Sequence, residues 1–170
     1  MIVLKFAGSL VAAVGIHALG VRTIPEFAAY VDLFLLLTVA WAFETTTLAG
    51  LAVGLAAGLT ADAYAGGLYG LNGFADTLVG YLTALAVTNL AKMSTAGAGL
   101  LYALAGVVQQ ILLTTLVVLL IPAGAPPAIP EVIGKTVLTG VAGVVVFRGR
   151  RRFVRAVGQW RQARESKLRF

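Results

Sequence analysis

The sequence predicts an all-α integral membrane protein, a six-transmembrane-helix bundle with both termini cytoplasmic. Three observations predict it. Hydrophobic residues make up 59% of the 170 and charged residues only 12%, where a soluble domain carries roughly 25% charged. The apolar residues fall into six runs, and a helix needs roughly 20 such residues, within about 17–25, to cross a bilayer. Finally, the basic residues gather at one end, Arg148–Phe170 holding nine of the thirteen.

The first span is Ile2–Gly20, with Lys5 near its start and His17 near its end. A secretory signal peptide is the rival reading. No small-x-small cleavage pattern closes this run, and five further runs follow. In the connection Arg22–Glu26, Pro25 suits the first turn of the next helix. The second span, Phe27–Phe43, contains the bulky run Leu33–Leu37, which is expected to face lipid. Trp41 and Phe43 stand where an interfacial aromatic belt would lie, and Glu44 is expected to be solvated.

The third span, Thr47–Ala63, carries Gly50, Gly54 and Gly58 at every fourth position, and Asp62 continues the spacing. On a helix this forms one slightly drifting stripe. The turn Tyr64–Gly73 holds four glycines, and the fourth span, Phe74–Ala91, has Asp76 near its start. Lys92 follows it. The fifth span, Ala96–Ile121, carries Gln109 and Gln110 near its middle. Four prolines in Pro122–Pro130 forbid a helix through that loop. The sixth span, Glu131–Phe147, has Lys135 one turn in. The chain thus divides into a membrane domain, 1–147, and a basic tail, 148–170.

Basic residues mark cytoplasmic loops. The tail is therefore placed inside, and six spans bring the N-terminus, Lys5 and Lys92 to the same side. Asp32, Asp62, Asp76 and Lys135 then all lie toward the outer side, as a polar cluster. Lys135 is expected to neutralise Asp62 or Asp76 across the bundle. Such a cluster can form a cavity that contacts a partner or ligand. Alternatively, Asp62 and Asp76 are solvated or cap helix ends.

The glycine stripe marks a closely packed face, since small residues let helix backbones approach in lipid. That face packs either within the chain or against a partner. Gly50, Gly54, Gly58, Asp62 and Gly70 are the candidate partner-interface residues. Gln109 and Gln110 can hydrogen-bond across helices. In the tail, Phe153, Val157 and Trp160 are spaced like one helix face among arginines. This fits a basic amphipathic helix on anionic lipid, with Arg148, Arg150, Arg151, Arg152, Arg155 and Trp160 in contact. An irregular positive-inside tail, or a protein-docking segment, is the alternative.

Several chemistries find no residues. The chain has no cysteine and one histidine, so no thiolate site is possible and no metal site is expected. No serine–histidine pairing, Walker loop or dinucleotide fingerprint occurs. No catalytic residue, cofactor or nucleic-acid partner is expected, the net charge of +6 being a matter of topology.

Six spans in about 170 residues, with Gly58-Leu-x-x-Asp62 ending the third, Leu68-x-Gly70-Leu in the turn and Leu82 after Gly80-Tyr81, resemble one family. This pattern is similar to the MreD rod-shape-determining proteins of bacteria. The resemblance implies a multi-pass inner-membrane protein of the cell-wall elongation complex, without catalytic activity. Its implied partners are the bitopic protein MreC, the MreB filament and the RodA–penicillin-binding-protein synthase; a homodimer is a further expectation. Asp62 and Gly70 are the motif positions here. The family also resembles, in fold, the substrate-binding S-components of energy-coupling-factor vitamin transporters, which supply the alternative function. Those typically show Ala-xxx-Ala in the first span, and Ala7, Ala12, Ala13 and Ala18 form no such pair.

Overall fold

The computed structural model describes residues 2–24, 27–66, 68–89, 94–121 and 129–167, with side chains as far as residue 152 apart from 29 and 131. Seven helical segments make up these residues: α1 (Ile2–Thr23), α2 (Phe27–Tyr30), α3 (Leu33–Ala42), α4 (Thr47–Ala65), α5 (Leu71–Asn89), α6 (Thr95–Leu120) and α7 (Ile129–Lys167). No strand occurs among them. Four helices are long and apolar enough to cross a membrane, namely α1, α4, α6 and the part of α7 from Val132 to Arg152. Helix α5 equals α4 in length but is less apolar, and the α2–α3 run is interrupted.

Caps and glycines set the ends. Thr46 caps α4 by accepting from the Ala49 amide, and Ser94 caps α6 by accepting from the Gly97 amide at 3.0 Å. Gly66, at φ 65°, ends α4 in the left-handed region that an alanine resists. Lys92 and most of the Pro122–Pro130 loop lie outside the described residues. Helix α7 begins at Ile129, with Pro130 in its first turn, where a missing N–H costs nothing.

Short as it is, α3 is the centre of the bundle. It touches α1, α4, α5, α6 and α7. Phe34, Leu35, Leu36 and Val39 are buried there, and Leu35, Leu36 and Val39 join Val79 of α5 and Tyr102 and Ala105 of α6 in the core. The Leu33–Leu37 run, expected to face lipid, is thus mostly core. It is bulky all round because neighbours surround it, and that pattern looks the same in a lipid-facing helix. The outward apolar side chains belong to other elements. In α1, Ile2, Leu4, Val11, Ile16 and Leu19 are exposed and Ala13 alone is buried.

Two close-packed hairpins flank α3. In the first, the Gly50–Gly54–Gly58 stripe of α4 lies against α5. A Cβ at Gly50 would stand 2.7 Å from the Gly80 carbonyl oxygen, while those at Gly54 and Gly58 would run into the backbones of Asp76 and Asn72. The stripe therefore packs within the chain, against α5, which is the first of the two alternatives. The second hairpin joins α6 and α7. Gly99 meets Val144, Gly106 meets Thr139, and Gly143 lies flat on the Tyr102 ring.

Helix α7 runs for 39 residues without a break, about 58 Å at 1.5 Å per residue, well beyond a hydrocarbon core of about 30 Å. Residues 148–167 continue the sixth span, with no change of secondary structure between 147 and 148. The side chains of Arg155 and Trp160 lie outside the described residues.

Candidate functional site

Asp32 interrupts the second apolar run and so creates the site. Val31 and Asp32 are not helical. Aspartate competes with the backbone for helix hydrogen bonds and favours the cap position. Here its carboxylate accepts from the Leu35 amide at 2.9 Å and caps α3. The negative charge also sits at the favourable end of the α3 dipole.

The other carboxylate oxygen, Oδ2, gathers two donors from distant elements. Lys135 Nζ of α7 lies 3.2 Å away, and Gln109 Nε2 of α6 donates at 3.0 Å. The same amide nitrogen donates to Asp76 Oδ1 of α5 at 2.7 Å. One amide thus bridges two carboxylates, one of which holds the ammonium. The four residues tie together four separate stretches of chain. Asp76 and Gln109 are fully buried, whereas the side chains of Asp32 and Lys135 keep 11% and 22% of their surface. That exposure opens onto a cleft of about 230 Å³, lined also by His17, Phe34, Tyr64 and Asn72. The His17 ring sits 5.3 Å from Phe34 and 5.5 Å from Tyr64, so one wall is aromatic. Its Nδ1 is buried without a partner among the described residues.

Asp62 does different work. It is buried in the last turn of α4 and accepts four hydrogen bonds. The Gly70 and Gly73 amides donate to Oδ2, and the Asn72 amide and Nδ2 donate to Oδ1, all at 2.9 Å. These backbone N–H groups lie at the start of α5 and have no helical partner. A carboxylate there satisfies them and complements the helix dipole. Gly70, at φ 101°, turns the chain so that its amide faces Asp62. Hydrogen bonds to a charged group contribute about 1.5–3 kcal/mol each, and they do not add. Asp62→Ala is therefore expected to destabilise the fold by about 3 kcal/mol. Hydrogen exchange should show the Gly70–Gly73 amides losing their protection first.

The geometry corrects two expectations. Lys135 pairs with Asp32, and neither Asp62 nor Asp76 holds it. The four donors of the turn fill Asp62, and Gln109 stands at Asp76. Nor does Asp76 cap a helix. Helix α5 starts at Leu71, ahead of Phe74, so Asp76 lies a full turn inside it and faces the core. Gln109, expected to bond across helices, is the bridge of the cluster. A polar residue at one depth on each of four apolar elements is the signal that joins it to Asp32, Asp76 and Lys135.

At the opposite end of the bundle the arginines divide. Arg150 pairs with Glu44, donates to the Ala40 carbonyl and lies 5.5 Å over the Trp41 ring. Glu44 is exposed, as expected, and also ion-paired. Trp41 donates to Ser9 Oγ at 2.9 Å and packs edge-on against Phe6, which fixes α1 to α3. Arg151 covers Phe147, while Arg148 and Arg152 are exposed. Of the arginines proposed for lipid, Arg150 is therefore committed to the protein.

Among the described residues, no group of three or more histidine, cysteine, aspartate or glutamate side chains is placed to hold a metal ion. Compared with known protein families, curated proteins and solved structures, the chain matches none.

Proposed function

We propose that this chain is a non-enzymatic membrane scaffold of the bacterial cell-wall elongation machinery, similar to MreD, and that it binds the bitopic protein MreC. Six membrane crossings place both termini in the cytoplasm of the inner membrane, with the Asp32 cleft outside. The observation that carries the proposal is the Asp62-anchored hairpin. The stretch bearing the family resemblance, Gly58–Leu82, folds as a close-packed hairpin in which Asp62 holds the turn.

With the α4 stripe filled, the partner's helix docks elsewhere. Helix α1 offers Gly8, Ala12 and Gly15 on an exposed surface, and a Cβ at either glycine would touch nothing within 4 Å. This surface suits a single transmembrane helix at close approach. Gly8→Leu and Gly15→Leu are expected to reduce copurification of MreC from membranes about tenfold, a change of about 1.4 kcal/mol. Unchanged copurification would remove α1 as the docking face.

One observation favours the second reading, a substrate-binding S-component of an energy-coupling-factor transporter. The cleft is polar, partly aromatic and about 230 Å³ in volume. A vitamin or an ATPase module recovered with the purified protein, in place of a bitopic partner, would establish that reading and exclude the scaffold.

A further inference from the structure

We propose that the buried core binds one monovalent metal cation beside Asp76. The first argument is charge. Asp76 is faced by Asp32 at the head of α3, Asp62 of α4, Gln109 of α6 and Lys135 of α7. Four hydrogen-bond donors answer the charge of Asp62. Asp32 and Asp76 then share one ammonium, that of Lys135, and it lies on Asp32. With Asp76 ionised, the described core would be short by one positive charge. A lone charge inside a membrane helix bundle is costly and calls for a partner.

The second argument is a set of oxygens. Thr38 Oγ1, Asp76 Oδ2, Gln109 Oε1 and Thr139 Oγ1 are buried without a hydrogen-bond partner among the described residues. They come from α3, α5, α6 and α7, and none of the four residues exceeds 2% exposure. They also belong to neighbouring turns. Gly80, one turn beyond Asp76, meets the Thr38 methyl, with 3.2 Å from its Cβ position. Gly106, one turn before Gln109, meets the Thr139 methyl at 3.7 Å, and Thr139 follows Lys135 by one turn.

A buried polar oxygen without a partner is costly, and native structures rarely keep one. A proton on Asp76 would satisfy its own oxygen and at most one acceptor. A hard cation takes carboxylate, amide and hydroxyl oxygens together. The deficit is a single charge, so a monovalent ion balances it and a divalent ion would overshoot.

The test uses the full-length protein in detergent and needs no partner, so it is independent of the scaffold function. Thermal unfolding is followed in NaCl, LiCl and KCl, each against choline chloride at equal ionic strength. At least one alkali ion is expected to raise Tm saturably, by about 5–10 °C at a hundred times its dissociation constant. Asp76→Asn and Thr139→Val are both expected to lose this response. Thr139→Val keeps every carboxylate, so its loss separates coordination from screening. Equal Tm in choline and in all three alkali salts would overturn the proposal. So would an ion response that survives in both variants. If Asp76→Asn does not fold, the wild-type series and Thr139→Val decide.

Discussion

Gly54→Leu is expected to abolish the folded protein. A Cβ at this position would run into the carbonyl of Asp76, with the Thr77 Cα 3.0 Å away. These are backbone atoms of a neighbouring helix, so no side chain can rotate aside. Relief requires α4 and α5 to separate, and that separation pulls Asp76 away from Gln109. Even Gly54→Ala should cost about 3 kcal/mol, the upper end for overpacking, and leucine more. The measurement is the yield of monodisperse protein in detergent, with Gly15→Leu as control. The Gly15 position meets nothing within 4 Å, so the control should purify like the wild type. Equal yields of the two variants would mean that α4 and α5 do not pack as described. Loss of a partner by Gly54→Leu would report this unfolding and could not identify an interface.

Lys135→Met is expected to cost about 3–5 kcal/mol, because removing one member of a buried ion pair strands the other. Methionine keeps most of the volume, so the loss reports charge and not a cavity. The stranded group would be Asp32, with Asp76 joined to it through one amide. The effect should be far larger than that of removing an exposed charge such as Arg148 or Arg152, where surface changes stay within about 0.5 kcal/mol. Thermal unfolding of the variants side by side measures this. A Lys135→Met shift no larger than that of Arg152→Ala would show that the pair is solvated.

The helices and their approximate ends were legible because composition, caps and glycines act locally. Thr47, Ile2 and Thr95 begin helices within one or two residues of the expected starts. The closeness of the α4 stripe was legible too, since three glycines on one face need a backbone opposite them. Its partner was not legible, for a glycine face reads the same whether α5 or another chain covers it. The burial of Leu33–Leu37 was hidden for a related reason: lipid and protein interior favour the same side chains. The polar cluster was visible as four ionisable residues toward one end, but its pairing was not. Pairing depends on Asp62 being filled by its own turn and on Gln109 pointing at Asp76. Both facts follow from α5 starting at Leu71, a shift of three residues from the expected start. That shift rotates Asp76 from a helix end into the core.

The most direct measurement on that core is a double-mutant cycle between Asp32 and Lys135. Reversible unfolding in mixed micelles would compare the wild type, Asp32→Asn, Lys135→Met and the double variant. A buried pair 3.2 Å apart predicts that the double variant is more stable than the sum of the two losses implies, with a coupling of about 2 kcal/mol, inside the 0.5–3 kcal/mol range of contacting residues. Losses that add to within about 0.5 kcal/mol would contradict it and place Lys135 outside the core.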